Sequence, residues 1–311
     1  MSAHQAQRIV FAGISTSGSV VRRVFPQWMN LLGQTLELQT IDIPADSPAS
    51  PYRALVSNLA ADPSVRGVVV TAHKRAVYDH AVDLLAGTDS RARSLREISV
   101  LYRQDDQLHG TVIEPASIVT TLAQMGGGTP VTARDADTVI YGAGGTAISL
   151  IACLTDPAWP PSARPRRLHL IDTSASRLQR AHDLAACGPA RLPVRVYHST
   201  GQASLRDLGP LPDRSLIINA TGLGKDRPGS PIRLPPSWPR RACVWDLNYR
   251  GHLLMLDDAR AAAAERQLTT HDGWLLFVNG WAESLSAIIG RPISDDERAA
   301  MHYLAARVRA G

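Results

Sequence analysis

The stretch Val139-Ile140-Tyr141-Gly142-Ala143-Gly144-Gly145-Thr146-Ala147 decides the fold class of this chain. The apolar run over 138–141 predicts a buried parallel strand, and residues 148–154 after it are compatible with a helix. Between them, residues 142–147 fit the pattern G-x-G-x-x-[G/A]. Strand, glycine turn and helix together form the context that a dinucleotide fingerprint requires. A tight turn without a ligand is the alternative that the motif alone leaves open.

Each small residue of the motif has a role in this interpretation. Gly142 permits the tight turn, Gly144 lets the backbone approach a pyrophosphate, and Ala147 lets the helix pack close to the strand. The first N–H groups of the helix then face the phosphates. We therefore predict that the cofactor contacts this turn, with the predicted contact residues being Gly142, Ala143, Gly144, Gly145 and Thr146.

Strands and helices alternate on both sides of the motif. Further strands of the same unit are predicted at 168–172, 194–198, 215–219 and 243–246. This alternation favours a doubly wound parallel sheet, the Rossmann architecture. The segment 155–166 contains four prolines and is predicted to be a surface loop.

The preceding part of the chain is predicted to be an α/β unit of its own, ending near Glu114. Its strands are predicted at 8–14, 36–43, 65–71, 98–103 and 108–113, and its helices at 20–32, 50–61, 76–86 and 91–97. Pro26 should kink or interrupt the first helix. A connecting helix at 115–125 and a glycine joint at 126–128 follow, and two helices, 274–289 and 294–309, end the chain.

Composition excludes several classes of function. The 311 residues are 44% hydrophobic and 20% charged, with a net charge of +5 but no basic face interleaved with aromatic residues, so we expect no nucleic-acid partner. No apolar run approaches the roughly 18 residues that span a membrane, and residues 1–5 do not resemble a signal peptide. The three cysteines are far apart and lie in apolar segments, which predicts buried thiols, a cytoplasmic protein and no metal site.

The chain has only two lysines, Lys74 and Lys225, although arginine is abundant. Lys74 follows a valine-rich strand, where side chains point to the ligand crevice of a parallel sheet. A lysine there can protonate a carbonyl oxygen as hydride reaches the carbon. Glu114 ends the next predicted hairpin and could hold the ammonium. The alternatives are a solvated lysine and an acid that starts a helix before Pro115.

Three further positions concern the cofactor. Asp172 ends the second strand of the nucleotide unit, where an acid binds the adenosine ribose of NAD and repels the extra phosphate of NADP. It could instead cap the next helix, and Arg177, one turn later, could contact a phosphate, which keeps NADP open as the less favoured cofactor. The segment Asn219-Ala220-Thr221 leaves a strand and is predicted to lie near the nicotinamide, with a plain turn as the alternative.

The order of these motifs resembles the shikimate/quinate dehydrogenase family over about 13–281. The segments that match the family patterns are a Gly/Ser-rich loop at 13–19, Val-Thr-Ala-His-Lys at 70–74, Gly-Thr-Val-Ile-Glu at 110–114, Gly-Ala-Gly-Gly at 142–145, Asn-Ala-Thr at 219–221, Asp-Leu-Asn-Tyr at 246–249, and Gly273 with the helix after it.

The resemblance implies that Lys74 and Glu114 form the catalytic lysine–carboxylate pair. It also implies that the C-terminal helices fold back on the first domain, so that residues 1–115 plus 274–311 form a substrate-binding domain and 116–273 a Rossmann domain, with the cleft between them. The substrate contacts that it implies are Ser17, Ser19, Thr71, Tyr249 and Asn279.

Several departures from the family pattern affect substrate groups. Val21 replaces one of two family serines while Ser19 matches the other, Val112 replaces an asparagine, Gly280 replaces a glutamine, and Glu114 replaces the catalytic aspartate. A site that loses such partners binds the same polar ligand less well.

We therefore expect an NAD-dependent enzyme that interconverts a secondary alcohol and a ketone on a small alicyclic hydroxylated substrate other than shikimate, in a possible homodimer. A genuine shikimate or quinate dehydrogenase and a non-catalytic ligand sensor are the alternatives.

Overall fold

The computed structural model describes residues 6–128, 131–225, 228–233 and 236–310, so the predicted absence of a signal pattern at 1–5 lies outside the described residues. The chain divides into two compact units, Met1–Glu114 with Val278–Gly311 and Pro115–Phe277. These bounds lie within a few residues of the division that the resemblance implies. The C-terminal segment thus shares a compact unit with the first part of the chain.

The first unit is built on a six-stranded sheet. Its strands are β1 Arg8–Gly13, β2 Glu37–Asp42, β3 Val65–Val70, β4 Gly87–Thr88, β5 Val100–Gln104 and β6 Gln107–Thr111. They lie in the order β2-β1-β3-β5-β6-β4, and only β5 runs antiparallel to its neighbours. The other five strands therefore end at the same edge of the sheet.

Helices cover this sheet. They are α1 Val21–Leu31, α2 Ala49–Ala61, α3 Lys74–Ala81, α4 Ser90–Leu95 and, from the end of the chain, α10 Trp274–Ile289 and α11 Asp295–Ala310. Trp281 of α10 packs against Phe11 with a ring-centroid distance of 5.2 Å and against Phe25 at 6.1 Å. Trp28 Nε1 donates to the carbonyl of Met301 at 3.0 Å. These aromatic contacts join the last two helices to the first strand and helix.

Three predictions for the first unit need correction. Pro26 does not interrupt α1, because it lies on the exposed face, where water can reach the carbonyl left without an N–H partner. The third helix starts at Lys74 and not at residue 76. Glu114 begins the next helix and does not end a strand, since β6 stops at Thr111.

The second unit is a parallel sheet in the order β12-β11-β10-β7-β8-β9. Its strands are β7 Asp137–Tyr141, β8 Arg167–Asp172, β9 Val194–His198, β10 Leu216–Asn219, β11 Cys243–Asp246 and β12 Thr269–His271. Its helices are α5 Glu114–Met125, α6 Gly145–Thr155, α7 Ala175–Cys187, α8 Leu254–Ala261 and α9 Ala263–Arg266. The predicted doubly wound α/β class is confirmed; the short edge strand β12 was not predicted.

The proline-rich segment after α6 is largely exposed, as predicted, although Trp159 within it is 4% exposed and donates to the carbonyl of Ala163. One local prediction for this unit was wrong. Cys187 is exposed, whereas Cys153 and Cys243 are buried as predicted. The buried face of α7 is formed by Leu178, Ala181 and Ala185, so the helical period turns residue 187 away from the core.

Among the described residues, no helix is both long and apolar enough to cross a bilayer. The same part of the chain brings together no group of three metal-binding side chains.

Candidate active site and cofactor cleft

The only ion pair of Lys74 in the described structure is with Glu114, whose Oε1 accepts from the Lys74 Nζ. The two side chains are 18% and 12% exposed, so each charge is partly withdrawn from water. Each residue is the first of its helix, α3 and α5. An ammonium held by a carboxylate at such a position can give a proton to a substrate oxygen and take it back.

Sheet register explains why residues 40 positions apart meet. In the pairing of β3 with β5, Val69 lies opposite Val100, and in that of β5 with β6, Val100 lies opposite Thr111. The ends of β3 and β6 are therefore level at one edge of the sheet. The chain turns into a helix a few residues beyond each end, which brings Lys74 and Glu114 together.

Three predicted substrate residues lie near the same edge. The N–H and hydroxyl of Thr16 both donate to Asp42 Oδ1 at 2.6 Å, which anchors the glycine- and serine-rich loop to the end of β2. The Thr16 hydroxyl is the largest cause of the lowered pKa of Asp42. In this loop Ser17 is exposed and Ser19 half-buried. Thr71 is exposed just beyond β3, and a Cβ at Gly13 would meet its side chain.

The other two predicted substrate residues are packed differently. Asn279 is fully buried in the first unit, with its Oδ1 3.0 Å from His302 Nε2. One position later, a Cβ at Gly280 would have nothing within 4 Å. Tyr249 belongs to the second unit, where its ring lies 4.9 Å from that of Phe277. Residue 280 thus faces open space, whereas Asn279 faces a helix.

The glycine turn borders a cleft of about 280 Å³ in the second unit, with walls from the ends of β7, β8, β9 and β10. Gly142 has φ +94°, and a Cβ there would lie 2.7 Å from the carbonyl oxygen of Ala220. A Cβ at Gly144 would meet nothing within 4 Å. Gly142 is therefore required by the backbone, whereas Gly144 leaves open the space in which a pyrophosphate would lie, before Gly145 and Thr146 start α6.

Asp172 ends β8 at the side of the cleft where the adenosine ribose is predicted to bind, and its carboxylate is already bonded. Its carboxylate accepts from the N–H groups of Ala143 and Ser174, both at 2.7 Å, and forms an ion pair with Arg177 at 2.7 Å. Burial acts to raise the pKa of Asp172, but these bonds outweigh it and the pKa is lowered. The N–H of Ala143 thus joins the glycine turn to the end of β8, and Arg177 covers the outer side of the carboxylate.

The loop after β10 is organised by Asn219. Its Nδ2 donates to the Leu223 carbonyl at 3.1 Å and to Asp246 Oδ2 at 2.9 Å, and its Oδ1 accepts from the N–H and hydroxyl of Thr221. These four bonds use the full capacity of an amide side chain. Ala220 and Thr221 line the cleft, so direct cofactor contact stays a prediction for them, while Asn219 shapes their backbone.

Sequence reasoning missed Asp42 and Tyr52. Tyr52 contacts His73, the residue before Lys74, and Asp42 holds the serine loop. Neither residue belongs to a recognisable motif. Asp42 could have been found only from its position at the end of β2, the strand next to β1.

Known proteins resemble this chain in sequence and in fold. No family model matches the chain. It is 30% identical over 266 residues to the shikimate dehydrogenase (NADP(+)) of Stenotrophomonas maltophilia (strain K279a), covering 85% of this chain and 84% of that protein. Similar folds occur in the ligand-free 5-ketofructose reductase of Gluconobacter sp. strain CHM43 (TM-score 0.72, 19% identity, 98% of this chain and 100% of that one). Quinate dehydrogenase from Corynebacterium glutamicum in complex with NAD is another (TM-score 0.72, 17% identity, 97% and 99%).

Proposed function

The chain belongs to the shikimate dehydrogenase family of NAD(P)-dependent oxidoreductases, and from that premise we propose that it interconverts a secondary alcohol and a ketone on a small alicyclic hydroxylated compound other than shikimate, with NAD as cofactor. The observation that carries the proposal is the partly buried pair of Lys74 and Glu114. A ligand sensor on the same fold would have no use for a proton donor held by a carboxylate.

Different side chains have separate roles in the proposed reaction. A bound nicotinamide supplies or accepts the hydride at the substrate carbon. Lys74 Nζ donates a proton to the carbonyl oxygen during reduction, or removes the hydroxyl proton during oxidation. Glu114 accepts a hydrogen bond from the Lys74 ammonium and so directs it to one side. The loop with Ser17 and Ser19 and the side chain of Thr71 supply hydroxyl groups that can orient a hydroxylated substrate.

The charges in the cleft support NAD over NADP. Among the described residues that line it, Arg177 is the only cation, and its charge is compensated by Asp172. A ribose hydroxyl can take the place of Arg177 on the carboxylate, since the arginine side chain is 54% exposed and able to move. A 2′-phosphate would instead face the Asp172 charge.

The side chains at the family's substrate-binding positions support a ligand that needs fewer polar partners than the carboxylate and hydroxyls of shikimate do. Val21 and Val112, at two positions where the family has polar side chains, are 0% and 2% exposed and add no hydrogen-bonding group. Gly280, at a third, leaves open space. A related fold serves a reductase named for 5-ketofructose, a ketone without a carboxylate. We therefore favour neutral polyhydroxylated ketones and alcohols.

A second candidate is a genuine shikimate or quinate dehydrogenase. The names of the sequence relative and of one similar structure favour it, and the relative is named for NADP(+). The two candidates differ in substrate and in the preferred cofactor, so one panel separates them.

The test measures reduced nicotinamide at 340 nm at alkaline pH. NAD and NADP are each offered with shikimate, quinate, myo-inositol and other cyclitols, and 5-ketofructose is offered with NADH and NADPH. We expect turnover of a neutral compound and little of shikimate. Turnover of shikimate above all neutral compounds would refute the substrate proposal.

The catalytic roles have a matched test. Lys74→Ala should lower kcat by about 10²–10⁴-fold, the usual contribution of a general acid, with NADH affinity unchanged. Arg75→Ala is the control, because Arg75 is the next cation on α3 but pairs with Asp79. Normal turnover of Lys74→Ala would refute the assignment.

A further inference from the structure

His73 is a buried histidine that the proposed chemistry does not use. It is 5% exposed, and its Nε2 lies 2.8 Å from the carbonyl oxygen of Ile43, just beyond β2. Its Nδ1 lies 3.1 Å from the hydroxyl of Tyr52 on α2. Because a carbonyl only accepts, Nε2 carries a hydrogen and donates to Ile43. The imidazole therefore joins two neighbouring elements, with both ring nitrogens in hydrogen bonds.

The same residue directly precedes the first turn of α3. His73 precedes Lys74 directly, and the N–H of Val77 donates to the His73 carbonyl at 2.8 Å. The N–H of Ile98 donates to the Lys74 carbonyl at 3.1 Å. The imidazole makes no capping bond to its own helix and reaches outward instead. The backbone of Lys74 is thus held through Ile98 on one side and through the His73 ring on the other.

We propose that His73 is a positioning residue for Lys74, acting through its bonds to Ile43 and Tyr52. The inference rests on the proposed role of Lys74 as proton donor. A lysine side chain has four rotatable bonds. Its ammonium therefore occupies a defined position only when the backbone that carries it is fixed. A displacement of about 1 Å at a reacting group can cost roughly 100-fold in rate. Without the imidazole, the start of α3 loses its two side-chain hydrogen bonds to Ile43 and Tyr52.

The kinetic test is a double-mutant cycle, run on the compound of the panel above that the wild type turns over fastest. We expect His73→Ala to lower kcat by roughly 10–100-fold. In the Lys74→Ala background the same change should cost less than about threefold, because residues that act as a unit are not additive. His73→Gln, whose amide offers one donor and one acceptor, should recover most of kcat, and Tyr52→Phe should give an intermediate loss.

A merely structural role predicts other results. His80→Ala is the control, since His80 stacks on Tyr52 at 5.7 Å but is bonded through its side chain to neither Ile43 nor Lys74. Equal losses from His73→Ala with and without Lys74, or unchanged kcat in His73→Ala, would overturn the inference. Wild-type turnover in Lys74→Ala would instead overturn the proposed function.

A second measurement needs no substrate. In the Lys225→Arg variant, reductive methylation with ¹³C-formaldehyde labels only Lys74 and the amino terminus, because the chain has two lysines. We expect the held side chain to give a dimethylamine signal shifted from that of an exposed lysine, and His73→Ala to move this signal to the exposed position. His73→Gln should retain the wild-type signal. A signal that is the same in all three proteins would overturn the inference.

Discussion

Replacing Asp172 with asparagine should change which cofactor the protein prefers. The change removes one negative charge from the ribose end of the cleft and releases Arg177 from its ion pair. Both effects favour the 2′-phosphate of NADPH. The wild type should bind NADH more tightly, and the variant should lose or reverse that preference.

The size of the effect follows from charge and exposure. Two unit charges on the order of 5 Å apart, at an effective dielectric constant near 20, interact by about 3 kcal/mol. The cleft is open to water on the Arg177 side, so roughly half of this should survive screening. The ratio of the NADPH to the NADH dissociation constant should therefore fall by about 10–100-fold.

The amide of Asp172→Asn also loses an acceptor for one N–H, that of Ala143 or Ser174. That loss weakens both cofactors alike and cancels in the ratio. The ratio is measured by titration of nicotinamide fluorescence, which needs no substrate. Asp183→Asn, on the exposed side of α7, is the control with the same change of charge. An unchanged ratio in Asp172→Asn would show that this carboxylate does not select the cofactor.

Further predictions use other parts of the chain. Gly142→Ala should lower the free energy of unfolding by roughly 2–4 kcal/mol in urea, because φ is +94° and the new Cβ would lie 2.7 Å from the Ala220 carbonyl; Gly144→Ala should unfold normally but bind NADH weakly. Burial lowers the pKa of His302 to about 4. The unfolded state therefore takes up a proton near pH 6.5 before the folded state does, and stability should fall by up to about 3 kcal/mol between pH 6.5 and 4; His302→Gln should show a smaller fall by that amount, and an identical pH profile would contradict the reasoning. Ellman's reagent should titrate one thiol per native chain, Cys187, and three after unfolding; three fast thiols would contradict the burial of the others.

Local sequence determined the glycine turn and five of the six strands of the second unit. The apolar strand, the glycine turn and the following helix are each encoded within a few residues, and a positive φ at Gly142 excludes most side chains there. The parallel strands before and after the turn follow the same local rules of hydrophobic run and breaker. For this reason the predicted bounds of the strands β7 to β11 agree with the observed bounds to within one residue at each end.

Tertiary structure decided which side chains meet, and the division is physical. The pairing of Lys74 with Glu114 depends on an antiparallel strand between two parallel ones. One partner of Asp172, Ala143, and one partner of Asn219, Asp246, come from elements more than 25 residues away in sequence. Hydrogen-bond capacity is used up by whichever group lies nearest in space, and no sequence period encodes that. The sequence by itself thus determined where the cofactor turn and its strands form, because those choices are made by neighbouring residues. The fold decided that Asn219 bonds to Asp246, that the Ala143 N–H bonds to Asp172 and that His73 joins α3 to β2, because those choices are made by contacts between elements distant in sequence.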